Sequence, residues 1–226
     1  TLIMLDILVR DGDKWRAIEV KSSISLSETY YQDAALQYYV LKGCKVQLSD
    51  MQLMYIDNEY VRNGDVDVKQ LFKFQSVKDY AEQHLDSIDE KVNRFKDVVN
   101  LPNAPKINIG TQCFNPYTCE FKGHCWKKIP KDIYLHTNAY SDKELFSLYN
   151  SGIQTNKEFK RIIDPLSLEM NQLDALEQDT FYINYKTLYS TIEKKVRSIA
   201  FLNILFYRPA VPVLDGHRPY QEIILA

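Results

Sequence analysis

The sequence predicts an α/β protein whose first half combines strands with helices and whose second half is mainly helical. Short runs rich in Leu, Ile and Val, bounded by turn residues, fill much of residues 2–62 and are typical of strands. Apolar residues at helical spacing recur over 76–98 and again over 183–206. Residues 100–135 separate the two halves, because prolines, glycines and cysteines interrupt the periodic patterns there.

The first predicted element is a β-hairpin. Residues 2–9 and 15–21 are rich in strand-forming side chains, and the turn sequence Asp-Gly-Asp at 11–13 separates them. Side chains alternate along a strand, so one face of the first strand groups Asp6 with apolar neighbours. These neighbours are Leu2, Met4 and Leu8.

Two carboxylates are predicted to share one face of this hairpin. A turn at 12–13 sets Asp6 directly opposite Glu19, and a turn at 11–12 sets Asp6 opposite Ala17 with Glu19 on the diagonal. A three-residue loop would put the two carboxylates on opposite faces. In either two-residue case, two like charges lie on an otherwise apolar face and need compensation.

A divalent cation is the compensation that these residues favour. Mg²⁺ binds one or two carboxylates and keeps several waters. Lys21 shares the face of Glu19, where it can orient or deprotonate an attacking water and stabilise charge on a phosphate. Gln37 lies on the apolar stripe of the next helix, so its amide needs a water or a phosphate as a partner. The plainer alternative is a cross-strand ion pair on a solvated face.

The rest of the first half is predicted to hold two helices and further strands. A helix over 29–42 begins after Ser27 and ends at Gly43. Residues 45–62 are expected to form one or two strands. A second helix spans 76–98, because its apolar residues follow the helical period.

The second half is predicted to be helical up to an extended tail that starts at residue 208. The predicted helices are 141–151, 155–163, 168–178 and 183–206. A capping box of Ser141 and Glu144 supports the first of them. The aromatic stripe at the start of the last helix is expected to pack in the core rather than to stack on nucleic-acid bases. Its members are Tyr182, Tyr185 and Tyr189.

Composition excludes several protein classes. The chain has 226 residues, 45% hydrophobic and 26% charged, which excludes wholesale disorder. The net charge of −2 gives no bulk signal for nucleic acid. No apolar run approaches the ~20 residues of a membrane helix, so no membrane partner is expected. The four cysteines are too few for a disulfide scaffold, and the start at Thr1 indicates an internal fragment rather than a signal peptide. We expect a cytoplasmic protein.

The polar residues of the hairpin and its following helix resemble the PD-(D/E)XK nuclease superfamily, and in particular its RecB-like branch. The resemblance rests on Asp6, on Glu19-Val20-Lys21 after a tight turn, and on a helix that carries Gln37. It implies a core of the restriction-endonuclease type, with a mixed sheet flanked by helices. It also implies that Asp6, Glu19 and the backbone carbonyl of Val20 bind Mg²⁺ or Mn²⁺, and that Lys21 is the catalytic lysine.

The same resemblance implies a metal-dependent deoxyribonuclease that hydrolyses phosphodiester bonds, with exonuclease action on single-stranded DNA. Gln37 would belong to the helix motif of the branch, and the adjacent Tyr38 would contact the substrate. The branch usually has a further His or Glu upstream of the motif aspartate. The five residues before Asp6 supply neither.

Three cysteines form a second candidate site. Cys113, Cys119 and Cys125 follow the spacing C-x5-C-x5-C in a segment rich in Pro and Gly, which indicates metal or cluster ligation. Zinc fingers use closer pairs, and an iron–sulfur cluster needs four ligands. The fourth ligand could be Cys44, His124 or a residue upstream of the chain. Three unliganded thiols are the plainer alternative.

The cysteine spacing also resembles the iron–sulfur clasp of RecB-like nucleases, which place one cysteine before the nuclease motifs and three after them. The resemblance implies a [4Fe–4S] cluster and favours a fourth cysteine upstream over Cys44. Zn²⁺ is the alternative metal. The clasp would tie the chain after the nuclease core back to the segment before it.

The predicted segments are a nuclease core over 1–100, a cysteine clasp over 101–135 and a helical region over 136–207. The tail, 208–226, resembles the start of a DnaQ-like exonuclease domain through its sequence AVPVLDGHRPYQEI, but the Asp-x-Glu motif of that domain is absent. Two further hypotheses stay open: a DNA-binding or assembly scaffold with an incomplete nuclease site, and a zinc-stabilised adaptor.

Overall fold

The computed structural model describes residues 2–137, 140–195 and 202–225. The chain divides into two units, one formed by Thr1–Ala104 with Phe201–Ala226 and the other by Pro105–Ala200. The tail is therefore grouped with the N-terminal unit, and the cysteine segment is grouped with the helices that follow it. None of the helices in the described ranges is both long enough and apolar enough to cross a bilayer.

The N-terminal unit contains a four-stranded sheet in the order β1-β2-β3-β4. The strands are β1 (Ile7–Asp11), β2 (Lys14–Lys21), β3 (Leu48–Ile56) and β4 (Phe72–Ser76). β2 and β3 run parallel, and the other neighbours are antiparallel. Parallel neighbours need a crossover connection, which helix α1 (Glu28–Gly43) supplies. The predicted α/β class, with a mixed sheet flanked by helices, is confirmed.

The hairpin has the first of the two predicted turns. Its pairs run from Ile7–Ile18 to Asp11–Lys14, so the turn lies at residues 12–13, where Gly12 has a φ of +62°. The predicted start of the first strand at residue 2 is wrong, because the ladder begins at Ile7.

The apolar face predicted around Asp6 is also wrong. Leu2 and Met4 are 91% and 87% exposed, so they do not form a packed face with it. The ladder stops short of Asp6 because its carboxylate, rather than a backbone carbonyl, accepts the N–H of Val20.

Helix α1 forms close to its predicted position and packs on the sheet. Ser27 is the N-cap residue, although its side chain makes no capping hydrogen bond. The buried core contains small residues of both elements, Ala34 and Ala35 from α1 and Ala17 from β2. Small side chains let the helix approach the sheet closely, which brings the polar residues of α1 near those of β2.

The predicted helix over 76–98 is two helices, α3 (Lys78–Gln83) and α4 (Leu85–Val99). The break lies at His84. Its ring nitrogen Nδ1 is 2.7 Å from the Tyr80 carbonyl oxygen, and its backbone N–H donates to Ala81 instead. The His84 side chain thus takes the place of a backbone N–H at the Tyr80 carbonyl. The spacing of apolar residues cannot reveal such a contact.

The remaining elements of this unit are short. Residues 45–62 contain the single strand β3, and the next elements, α2 (Val68–Leu71) and β4, lack a predicted counterpart. In the tail, β5 (Phe206–Tyr207) pairs with β6 (Ile223–Ile224). Tail residues Ala210 and Tyr220 pack on a small core of this unit. That core consists of Ile56, Tyr60 and Leu71.

The second unit is mainly helical. Over residues 105–137 and 140–195 its elements are two 3₁₀ turns, Thr111–Cys113 and Tyr134–His136, and five helices, α5 (Lys122–Cys125), α6 (Asp142–Asn150), α7 (Asn156–Phe159), α8 (Leu168–Glu177) and α9 (Tyr185–Lys195). The predicted capping box of Ser141 and Glu144 is confirmed. At the centre of the core, the rings of Tyr134 and Phe159 stack with centroids 4.1 Å apart.

The predictions for the last helix need two corrections. The structure describes α9 over Tyr185–Lys195, and residues 196–201 of the predicted helix lie outside the described ranges. The predicted end at residue 206 is wrong, because residues 202–205 are not helical and Phe206 belongs to a strand. The aromatic stripe is not part of the core, because its three tyrosines are 45–58% exposed. They are Tyr182, Tyr185 and Tyr189.

Candidate active site and cysteine segment

Lys21 is the centre of a group of charged residues at the end of β2. Its ammonium nitrogen donates to Glu19 Oε1 at 2.8 Å and to Asp33 Oδ2 at 2.6 Å, and it lies 5.3 Å from the centre of the Tyr30 ring. Burial opposes the charged form of Lys21, but the hydrogen bonds to Asp33 and Glu19 outweigh it and raise the pKa. Lys21 is therefore a cation at neutral pH, suited to stabilise an anion.

Glu19 is a buried carboxylate that is only half satisfied. Only 8% of the residue is exposed, because β2 lies between β1 and β3 and its Glu19 face is covered by α1. One oxygen, Oε1, accepts from Lys21, while the buried Oε2 has no hydrogen-bond partner. Burying an unpartnered carboxylate oxygen is costly, so this atom is suited to a cation or a donor that comes from outside the chain.

Asp6 immediately precedes β1 and lies beside the backbone of β2. Its Oδ2 accepts the N–H of Val20 at 2.8 Å, and the residue is exposed to solvent. In an antiparallel ladder the N–H and C=O of one residue face the same neighbouring strand. The Val20 carbonyl oxygen therefore faces the side of the sheet edge on which Asp6 lies.

Gln37 and Asp33 lie one turn apart on α1, at positions that share a helix face. Asp33 binds Lys21, so this face is turned toward the end of β2. Gln37 is 4% exposed, and its amide oxygen Oε1 is buried without a partner. It thus repeats the situation of Glu19 Oε2, a buried acceptor without a donor.

Tyr38 is placed in the core rather than on an open surface. It is 5% exposed, and its hydroxyl donates to Glu82 at 2.8 Å. Burial and this hydrogen bond raise the pKa of Tyr38 to about 12. A substrate contact by Tyr38 stays a prediction, and it would require the ring to be uncovered.

The oxygen atoms of Asp6, Glu19 and Val20 are of the type that a hard divalent cation binds. Carboxylate and carbonyl oxygens are the ligands of Mg²⁺ and Mn²⁺, and Mg²⁺ needs only one or two carboxylates beside its waters. The unpartnered oxygen of Glu19 is the atom most in need of such a ligand. Across residues 2–137, 140–195 and 202–225, however, no three His, Cys, Asp or Glu side chains form a metal-binding group. Any cation would thus be held by few protein ligands.

A groove of about 770 Å³ borders this site between α1 and α4. Asp33 lies in its wall, together with apolar residues such as Phe95 and Val99 and the two lysines Lys91 and Lys96. Because Asp33 also binds Lys21, the groove and the candidate site share one side chain. The groove therefore reaches the candidate site at Asp33.

The three clustered cysteines occupy different environments in the second unit. Cys113 is buried in the core, Cys119 is half-buried and Cys125 is exposed. The backbone N–H of Cys119 donates to the carbonyl of Cys113 at 3.0 Å, which closes the loop between them. None of the three belongs to a metal-binding group in the described structure. As placed, these thiols do not form a preformed metal site.

Asp33 is the residue of this site that sequence reasoning missed. The signal was present, because Asp33 precedes the predicted Gln37 by four residues on the same helix. An acidic residue on the sheet-facing side of α1 is expected to meet a cation, and Lys21 is a candidate for that cation.

Comparisons with models of protein families, with curated proteins and with solved structures find no match to this chain.

Proposed function

We propose that this chain is a divalent-metal-dependent DNA nuclease with a RecB-like core. The observation that carries the proposal is a pair of buried, unpartnered acceptor oxygens. Glu19 Oε2 belongs to the carboxylate that binds the charged Lys21, and Gln37 Oε1 lies one helical turn from Asp33, the other partner of Lys21. Folding alone gives no reason to bury two acceptors without donors. A site that receives a cation, a water and a phosphate supplies partners for all of these groups.

Each residue has a distinct role in this proposal. Asp6, Glu19 and the carbonyl of Val20 would hold Mg²⁺ or Mn²⁺, which would supply Lewis acidity to phosphodiester hydrolysis. Lys21 places its positive charge where the negative charge of the attacked phosphate increases. Gln37 offers its amide to orient the attacking water or a phosphate oxygen.

Asp33 and Glu19 together fix the position of Lys21. The ammonium group of Lys21 donates one hydrogen bond to Glu19 on β2 and another to Asp33 on α1, so two elements hold it in place. A lysine restrained in this way loses little conformational freedom when it binds a phosphate, so its charge is preorganised.

The proposed substrate class, single-stranded DNA cut from an end, follows from the family resemblance alone.

Metal dependence is the first test of the proposal. We expect cleavage of end-labelled single-stranded DNA with Mg²⁺ or Mn²⁺ and none with EDTA. Glu19→Gln is expected to lower the cleavage rate about tenfold or more, because it removes a metal-binding charge. Glu59→Gln is the matched control, since Glu59 is a highly exposed carboxylate of the same unit. Equal cleavage by both variants, or cleavage in EDTA, would contradict the proposal.

A scaffold with an incomplete nuclease site is the second candidate. The sparse ligand set favours it, because the described residues contain no metal-binding group of three side chains. In that case the protein would bind DNA and cleave none with any divalent metal. The assay above separates the two candidates directly.

A structural [4Fe–4S] cluster held by Cys113, Cys119 and Cys125 is a further part of the proposal. It would require the loop around these cysteines to close on a fourth ligand. We expect protein purified without oxygen to be coloured, with iron and sulfide in the metal analysis. Colourless protein that contains zinc would support the zinc-stabilised adaptor, and protein without either metal would leave the thiols free.

A further inference from the structure

One short segment of the second unit, residues 114–131, combines aromatic rings with lysines. We name the solvent-facing side chains of this segment the aromatic–lysine surface: Phe114, Tyr117, Phe121, Lys122, Lys127, Lys128 and Lys131. Tyr117 and Phe121 are 65% and 71% exposed. Residues 121–131 contain four lysines, and the acidic residues Glu120 and Asp132 flank them. Residues 120–132 therefore carry a net charge of +2, whereas the whole chain has −2.

This surface is supported by packed side chains. The rings of Phe114 and Trp126 meet edge to face with centroids 5.6 Å apart, and Phe146 from α6 contacts both. Lys122 Nζ lies 4.2 Å from the centre of the Phe114 ring and 5.5 Å from that of Trp126. Cation–π contacts of this kind hold the ammonium group over the rings. These contacts hold Phe114, Lys122 and Trp126 in place before any ligand arrives.

The exposed rings need an explanation, because they gain nothing from contact with water. Large exposed apolar side chains that lie together commonly mark an interaction site. In residues 111–131 the exposed large apolar side chains are all aromatic. Aromatic faces accept stacked bases, and the interleaved lysines match a phosphate backbone.

We propose that the aromatic–lysine surface binds single-stranded nucleic acid. Unpaired bases offer the free faces that Tyr117 and Phe121 can stack on, whereas a duplex keeps its base faces covered. An anionic membrane would also attract the lysines. Membrane-surface binding, however, generally uses a longer amphipathic helix, and the helix here, α5, has four residues.

This inference goes beyond the cleavage site and does not depend on it. Binding needs none of Asp6, Glu19 and Lys21, so it is measured in EDTA, where a metal-dependent nuclease is inactive. The probe is a fluorescent single-stranded oligodeoxynucleotide of mixed sequence, followed by anisotropy. A surface that binds in EDTA would stand even if the protein cleaved no DNA.

Charge is tested first by replacing exposed lysines of the surface with glutamine. The variant carries Lys127→Gln, Lys128→Gln and Lys131→Gln. The matched control removes the same charge from exposed lysines elsewhere in the unit, as Lys143→Gln, Lys157→Gln and Lys186→Gln. We expect the surface variant to bind about tenfold or more weakly and to reduce the salt slope of the affinity by about two, at ~0.7 per lost phosphate contact. Equal losses in both variants would overturn the proposal.

Stacking is tested by replacing rings with leucine, which keeps apolar bulk. We expect Tyr117→Leu with Phe121→Leu to weaken binding about fivefold or more without changing the salt slope. Phe181→Leu is the control, because Phe181 is an exposed aromatic residue outside the surface, and it should bind as wild type. Unchanged affinity in the double variant would overturn the proposal. The proposal would also be overturned if the double variant no longer sedimented with phosphatidylserine vesicles but still bound the oligonucleotide. That result would assign the surface to membranes.

Discussion

Lys21→Met is expected to lower DNA cleavage by about 100- to 1,000-fold, the usual cost of removing a preorganised charge from a transition state. Lys21 makes the only side-chain hydrogen bond of Glu19 among the described residues. The change therefore removes the charge that faces the phosphate and also frees Glu19 from its partner. Methionine keeps the length of the side chain, so the loss reports on charge rather than on a cavity.

The chain offers a matched control for this variant. Lys73 also bridges two carboxylates of the same unit, Asp57 at 2.8 Å and Glu59 at 3.4 Å, but it lies on the edge strand β4. Lys73→Met is expected to keep cleavage within about twofold of wild type, because its ion pairs are more exposed and lie outside the site.

The Lys21 variant is also expected to be less stable, since one carboxylate oxygen of Glu19 loses its buried partner. Cleavage should therefore be measured well below the unfolding temperature, with circular dichroism as the check on folding. A folded Lys21→Met protein that retains half of the wild-type rate would exclude the proposed role of Lys21.

Phe159→Ala is expected to destabilise the second unit by about 3–5 kcal/mol. Phe159 is fully buried, stacks on Tyr134 with centroids 4.1 Å apart and meets the edge of Tyr140 at 5.9 Å. Alanine would leave a cavity in the centre of the core, and the stack would be lost. The first unit should be much less affected, because it has core clusters of its own.

The two tryptophans allow the units to be followed separately. Trp15 lies in β2 of the first unit, and Trp126 packs against the core of the second. In a Trp15→Phe background, fluorescence during urea unfolding reports on the second unit alone. Phe181→Ala removes an exposed ring from the same unit and should change its stability by less than about 0.5 kcal/mol. Equal stabilities of the two alanine variants would contradict the proposed core.

Local patterns predicted the hairpin and α1 well because their signals are short-range. Gly12 adopts the positive φ that a tight turn needs, and a two-residue turn at 12–13 then fixes every pair of the ladder. The start of α1 at Ser27 and its end at Gly43 follow from similar local rules. These two elements carry Glu19, Lys21 and Gln37, so most of the candidate site could be predicted.

The failures have a common cause in contacts between distant residues. The break at His84 depends on a side chain that binds a backbone carbonyl, which is invisible to apolar periodicity. The exposed stripe of Tyr182, Tyr185 and Tyr189 has the spacing of a core face, yet spacing cannot show whether a partner covers it. The spacing of Asp33 and Gln37 shows that they share a helix face, but the partner of Asp33, Lys21, is identified only where α1 meets β2.

The two neighbours of β2 control different parts of the candidate site. The hairpin with β1 sets the position of Asp6, whereas the parallel pairing with β3 anchors Glu19 and Lys21. An insertion in the turn at 12–13 would move Asp6 and leave the other two in place. During evolution, the length of this turn is therefore expected to vary only in copies of the protein that no longer use Asp6.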